Sequence, residues 1–101
     1  MENPTHSWIR GMLLPFTLRV NIQDDIAKGK YITLSDAIIT MARQYLRTHK
    51  RLTLQPYDNQ TVIATHVQFP LGLAQKLIAK YQISKRQWTA MIVSILMEYY
   101  S

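Results

Sequence analysis

LGLAQKLIAKYQ (71–82), IS (83–84) and KRQWTAMIVSILMEYY (85–100) run on from one another, and the reading of this stretch decides the fold. The first flank sets Leu73, Leu77 and Ile78 on one face. The second sets Trp88, Ile92, Ile95, Leu96 and Tyr99 on another. Both spacings follow a helical period and predict two helices. Between them Ser84 precedes Gln87 by three positions, the capping-box pattern of a helix start. Just upstream, Thr65-His66-Val67-Gln68-Phe69-Pro70 alternates polar and apolar and stops at a proline, which predicts a short strand. A strand, a helix, a capped turn and a helix make a unit of about 35 residues, too small to hold a core alone.

The earlier half offers a partner for it. Phe16-Thr17-Leu18-Arg19-Val20 alternates and predicts a strand. Asn21 then reads as the N-cap of a short helix, with Asp24 and Asp25 near its positive end. Gly29 is placed to end that helix. Thr33 precedes Asp36 by three, an acidic variant of the capping box. Leu34, Ala37, Ile38, Met41, Ala42 and Tyr45 follow as an apolar helical face. A shift of 51 positions, the distance from Thr33 to Ser84, superposes the halves without gaps. It sets Phe16 on Val67, Leu18 on Phe69, Ile22 on Leu73, Ile26 on Leu77, Ile32 on Ile83, Met41 on Ile92 and Tyr45 on Leu96. The expectation is an internal repeat, 13–47 and 64–99, within a single domain spanning 1–101. Residues 48–63, with Pro56 and Asp58-Asn59, form the linker. The alternative is a chance match of two amphipathic helix pairs.

Each unit has one lone strand with unmet backbone donors and acceptors. Paired antiparallel, the two strands make a two-stranded β-ribbon. The expected fold is therefore mainly α: four helices cover one ribbon face and bury Phe16, Leu18, Val67 and Phe69. The other face is left to solvent or a partner.

Composition narrows the function. The chain has 101 residues, 48% of them hydrophobic, and a formal net charge of +6. Its pI is near 9.8. Such a basic balance points to an anionic partner, nucleic acid or a membrane surface. Cysteine is absent, so disulfides are excluded. Residues 1–10 carry too little apolar run for a signal peptide. The most apolar run, Ala90 to Met97, is far shorter than the roughly 20 residues of a membrane span. A cytoplasmic protein without a membrane partner is expected. The acidic residues do not pair with histidines, and His6, His49 and His66 lack metal-ligand spacing. No phosphate loop or nucleophile motif is present. Trp8 and Trp88 read as packing residues. No enzyme, cofactor or metal is expected.

The alternating strand, the Phe69-Pro70 pair before a helix, and the second helices capped at Thr33 and Ser84 resemble the ribbon-helix-helix unit of the MetJ/Arc/CopG-like DNA-binding family. Two units in one chain look like the tandem form of TraY-type conjugation accessory proteins. The chain departs from the pattern at Val20-Asn21, where a strand-ending proline is common, and at Gly72 in a first helical turn. The resemblance implies a sequence-specific double-stranded DNA-binding protein whose ribbon enters the major groove. It would act as a transcriptional regulator or as a plasmid relaxosome accessory factor in conjugation. In that mechanism the outward ribbon residues Thr17, Arg19, His66 and Gln68 contact bases, with Pro15 and Ala64 outward by phase. The starts of the second helices, Thr33 with Ser35 and Ser84 with Lys85 and Arg86, hold phosphates. The alternatives are a solvated polar sheet face and, at Thr33, an ordinary cap, because Asp36 repels phosphate. Arg43, Arg47, Lys50 and Arg51 form a further basic cluster for phosphates or a protein. The implied partners are double-stranded DNA and, beyond it, a relaxase or other DNA-processing protein. A monomer is expected in solution, with cooperative assembly on DNA left open. A protein-interaction module without DNA binding is the reading from another class.

Overall fold

In the computed structural model the order is strand β1 (Ser7–Pro15), helix α1 (Phe16–Ala27), helix α2 (Leu34–Thr48), strand β2 (Val62–Pro70), helix α3 (Leu71–Tyr81), a 3-10 turn (Lys85–Gln87) and helix α4 (Trp88–Tyr99). The structure describes residues 7–56 and 61–100. Glu2, His6, the side chain of Trp8 and the expected turn at Asp58-Asn59 lie outside what it describes.

Two prolines decide where strand gives way to helix. Pro15 and Pro70 both hold extended backbone, with ψ of 136° and 129°, and a helix begins at the next residue. Proline has no N–H to lose and its φ is already fixed, so it sits at a helix entrance without cost to the ladder. The Phe16 N–H, which has no acceptor inside its own helix, bonds the Thr61 carbonyl at 2.7 Å. At its far end α1 closes on Gly29, whose φ of 82° is left-handed. Lys30 N–H reaches the Asp25 carbonyl and Gly29 N–H the Ile26 carbonyl, the paired bonds of a Schellman ending.

The strands pair antiparallel from Ser7↔Pro70 to Pro15↔Val62. Alternation gives the ribbon two faces. Met12 and Leu14 from β1, with Thr65, Val67 and Phe69 from β2, are buried on the inner one. Helix α4 is the centre of the helical layer: Trp88 and every residue from Met91 to Leu96 are buried, as expected of a helix apolar nearly all round. The Trp88 indole meets the Phe69 ring edge-on at 5.0 Å and 85°. Helix α2 adds Ala37, Ile38, Met41, Ala42 and Tyr45. Its C-terminal carbonyls are taken by α3. Tyr81 donates its hydroxyl to the carbonyls of Tyr45 (3.2 Å) and His49 (2.8 Å). The Lys80 ammonium donates to the carbonyl of Leu46.

The mainly helical fold with a two-stranded antiparallel sheet agrees with the sequence reading, but the first strand does not lie where alternation put it. Residues 16–20 are the first turns of α1, and β1 is the segment before them. Leu18 and Ile22 are buried one helical turn apart, while Phe16 is 49% exposed. Asn21 is therefore inside α1 rather than its cap, and Asp24 and Asp25 stand near its C-terminal end. The gap-free superposition fails for the same reason: Phe16 begins a helix where Val67 sits in a strand. The linker is not loose throughout. Gln55 N–H donates to the buried Ser94 hydroxyl at 2.8 Å, and Leu52 packs on the core. Among the described residues no helix is long and apolar enough to cross a membrane.

Candidate nucleic-acid interface

The outer ribbon face is built by the residues that alternate with the core set. On β2 these are Val62, Ala64, His66 and Gln68, all exposed. On β1 the register sets Leu13 opposite Ala64 and Gly11 opposite His66, and both are exposed as well. The His66 ring lies over Gly11: its Nε2 stands 3.3 Å from where a Cβ would be. Glycine leaves that space to the imidazole. Gly11, Leu13, Ala64 and His66, with the inner-face Met12 and Thr65, line an open concavity of about 500 Å³ that Thr89, in the first turn of α4, also lines.

The starts of α2 and α4 flank this face. Ser35, in the first turn of α2, accepts the Gln68 N–H on its hydroxyl at 3.4 Å, so this helix start lies against the edge of β2. Thr33 caps α2, its hydroxyl accepting the Asp36 N–H at 3.0 Å. Asp36 returns the gesture one residue further out, accepting from Ile32 N–H at 2.9 Å. A carboxylate thus already occupies the positive end of α2. At the other helix start Gln87 Oε1 accepts from both the backbone N–H (3.1 Å) and the hydroxyl of Ser84. No acidic residue stands in that turn; Lys85 and Arg86 do, both exposed. The two helix starts therefore differ: one is neutralised from within, the other is cationic.

Of the base-contact set, His66 and Gln68 lie on the outer face. Thr17 and Arg19 do not, because they belong to α1. Arg19 is half-buried beneath the ribbon, its Nη1 donating to the Thr65 hydroxyl at 3.0 Å. Its Nε is buried with no hydrogen-bond partner among the described residues. Thr65 is on the core side of β2, so Arg19 braces the ribbon from within. Pro15 is buried, not outward. The sequence reading missed Gly11, Leu13 and Thr89. One signal for the strand residues was available: Leu14-Pro15 repeats the Phe69-Pro70 pattern already used to end the other strand. Among the described residues no group of three or more histidines and carboxylates is placed to hold a metal.

No family model matches the sequence, and no curated protein or solved structure matches the chain.

Proposed function

We propose that this chain binds double-stranded DNA in a sequence-specific manner, laying the outer face of its ribbon in the major groove. In this reading it is two ribbon-helix-helix-like units joined in one chain, each giving one strand to the ribbon. One observation carries it: a two-stranded ribbon, buried on one face by helices and bare on the other, is flanked by the starts of α2 and α4. A two-stranded ribbon fits the major groove, and helix N-termini suit the phosphates on either side. The net charge of +6 adds the counterion-release term that drives such binding.

The chemistry of the face shapes the expected site. Gln68 can pair bidentately with adenine, and apolar Ala64 and Leu13 suit the thymine methyl group. No arginine stands among the exposed ribbon residues described above, so the bidentate guanine contact has no donor there. An A·T-biased site follows. Because the strands differ, it need not be palindromic. Ser84, Lys85 and Arg86 are the stronger phosphate clamp, and Thr33 with Ser35 the weaker. Transcriptional regulation and relaxosome assembly are both uses of such a protein, with a relaxase as partner in the second.

The test is selection of bound duplexes from a random pool, followed by titration of the selected site at several salt concentrations. An enriched A·T-rich site, with affinity falling steeply as salt rises, is the expected result. A pool that never enriches would remove the DNA reading. A second reading draws on a different observation. Leu13 (53%), Phe16 (49%) and Val62 (38%) are exposed at one end of the ribbon, and apolar exposure favours a protein partner. A partner held there would bind with little salt dependence.

A further inference from the structure

Helices α1 and α3 each follow a proline, and each buries one stripe in the core: Leu18 and Ile22 on α1, Leu73, Ala74 and Leu77 on α3. Each also turns a second seam outward. On α1 this is Phe16, Val20, Gln23 and Ala27, spaced four, three and four and all exposed, with Phe16 at 49% and Val20 at 39%. On α3 it is Leu71, Gln75 and Ile78, spaced four and three; Gln75 is exposed and the two apolar residues are half-buried. Spacings of three and four keep residues on one helix face. Leu71, Gln75 and Ile78 border a concavity of about 240 Å³. That is below the roughly 300–1,000 Å³ of small-molecule pockets and suits a protruding side chain.

We propose that a second copy of this chain occupies the concavity, with α1 of one copy lying antiparallel along α3 of the next. The seams themselves select this pairing. Antiparallel, Val20 faces Ile78, Gln23 faces Gln75 and Ala27 faces Leu71, which sets apolar on apolar and amide on amide. Phe16 then extends over the end of α3 at its cap, Gln82. Run parallel, the same seams would set Val20 on Gln75 and Gln23 on Ile78. Paired antiparallel with itself, α1 would set Val20 on Gln23 twice. Charge agrees at the scale of the helix. Helix α1 carries Asp24 and Asp25, while its one arginine, Arg19, turns inward to Thr65. Helix α3 carries Lys76 and Lys80 and no acid. An acidic helix on a basic one attracts, whereas either helix on its own copy repels. The contact is heterologous: a pair of copies leaves one α1 and one α3 unused, so association runs past two copies. One three-turn helix on each side makes a small contact at the weak end of protein interfaces, so at low micromolar concentration the chain should sediment alone. The proposal stands whether or not the ribbon binds DNA.

The test is sedimentation of the full chain from about 0.05 to 1 mM, the range of a weak contact, with Val20→Glu and Ile78→Glu made separately. The wild-type mass should rise continuously above 11.8 kDa without stopping at two copies, and amide shifts on concentration should cluster at 16–27 and 71–82. Each variant alone should associate about tenfold more weakly or worse. Mixed in equal amounts, the two variants should form a 1:1 pair and nothing larger, because the intact α1 of one meets the intact α3 of the other. If Ile78→Glu melts early, Gln75→Glu at the exposed middle of that seam serves in its place, with a smaller loss expected. A wild-type chain still monomeric at 1 mM would overturn the proposal. So would a closed dimer lost in Val20→Glu and kept in Ile78→Glu, variants that fail to pair on mixing, or shifts confined to other elements.

Discussion

Arg19 and Gln68 were paired by sequence as base readers, and the structure separates them. Gln68 stands on the open face; Arg19 reaches the Thr65 hydroxyl from beneath. Gln68→Ala should therefore lose about 1–3 kcal/mol on the preferred site and little on scrambled duplex. Arg19→Ala should leave that discrimination intact and lower the unfolding free energy by about 1 kcal/mol, the typical worth of a hydrogen bond. Binding titrations against both duplexes, alongside urea melts, separate the two outcomes. If Arg19→Ala abolishes discrimination at unchanged stability, the bracing role is wrong. Trp88 tests the core in the same way. It is fully buried against Phe69, so Trp88→Ala should cost roughly 3–5 kcal/mol; a melting temperature equal to wild type would contradict that packing.

At the scale of elements, α2, α3 and α4 were legible because their apolar residues recur at helical spacing and their starts carry Thr33, Pro70 and Ser84. Helix α1 was not. Its buried stripe, Leu18 and Ile22, is narrow, while Phe16 and Val20 face solvent and Arg19 and Asp25 are half-buried. An apolar residue at every second position over five residues fits a strand and also fits this mixed helix. The base-reading surface inherited that error, since moving the strand replaces Thr17 and Arg19 with Leu13 and Gly11. The packing of α2 on α3 was likewise beyond sequence, because Tyr81 finds its acceptors, the Tyr45 and His49 carbonyls, only in the fold. That junction makes a prediction about pH. Burial, then the neighbouring Tyr45 and Tyr99, pushes the Tyr81 hydroxyl up to about 12. Tyr45, Tyr99 and Tyr100 are raised too, each chiefly by burial. In the unfolded chain tyrosine ionises near 10. Above that pH the unfolded state holds fewer protons than the folded one, so stability is full below about pH 10 and falls as pH rises toward 12. Urea midpoints should be level from about pH 8 to 9 and drop beyond 10, less steeply in Tyr81→Phe. A midpoint still level at pH 11 would show that these hydroxyls ionise alike in the folded and unfolded chain.

For the whole molecule, the decisive contact is the pairing of β1 with β2 inside one chain. Each strand alone presents unpaired N–H and C=O groups, and a lone strand on two helices is an invitation to pair with another copy. Here every residue from Ser7 to Pro15 has a partner between Val62 and Pro70, so the ribbon is complete without a second molecule. The inner face it closes carries Leu14, Val67 and Phe69, all fully buried with Trp88 beneath them. Neither half can bury that surface by itself, which couples the halves into one cooperative unit. Folding should then be independent of protein concentration. Sedimentation at low micromolar concentration should give a species of about 11.8 kDa. Urea unfolding should be a single transition whose midpoint does not move over a hundredfold range of chain concentration, as expected of a two-state monomer. A midpoint that rises with concentration, together with a sedimenting dimer, would mean that ribbons form between chains. The A·T-biased site would in that case have to be two-fold symmetric, because two copies would each supply both strands.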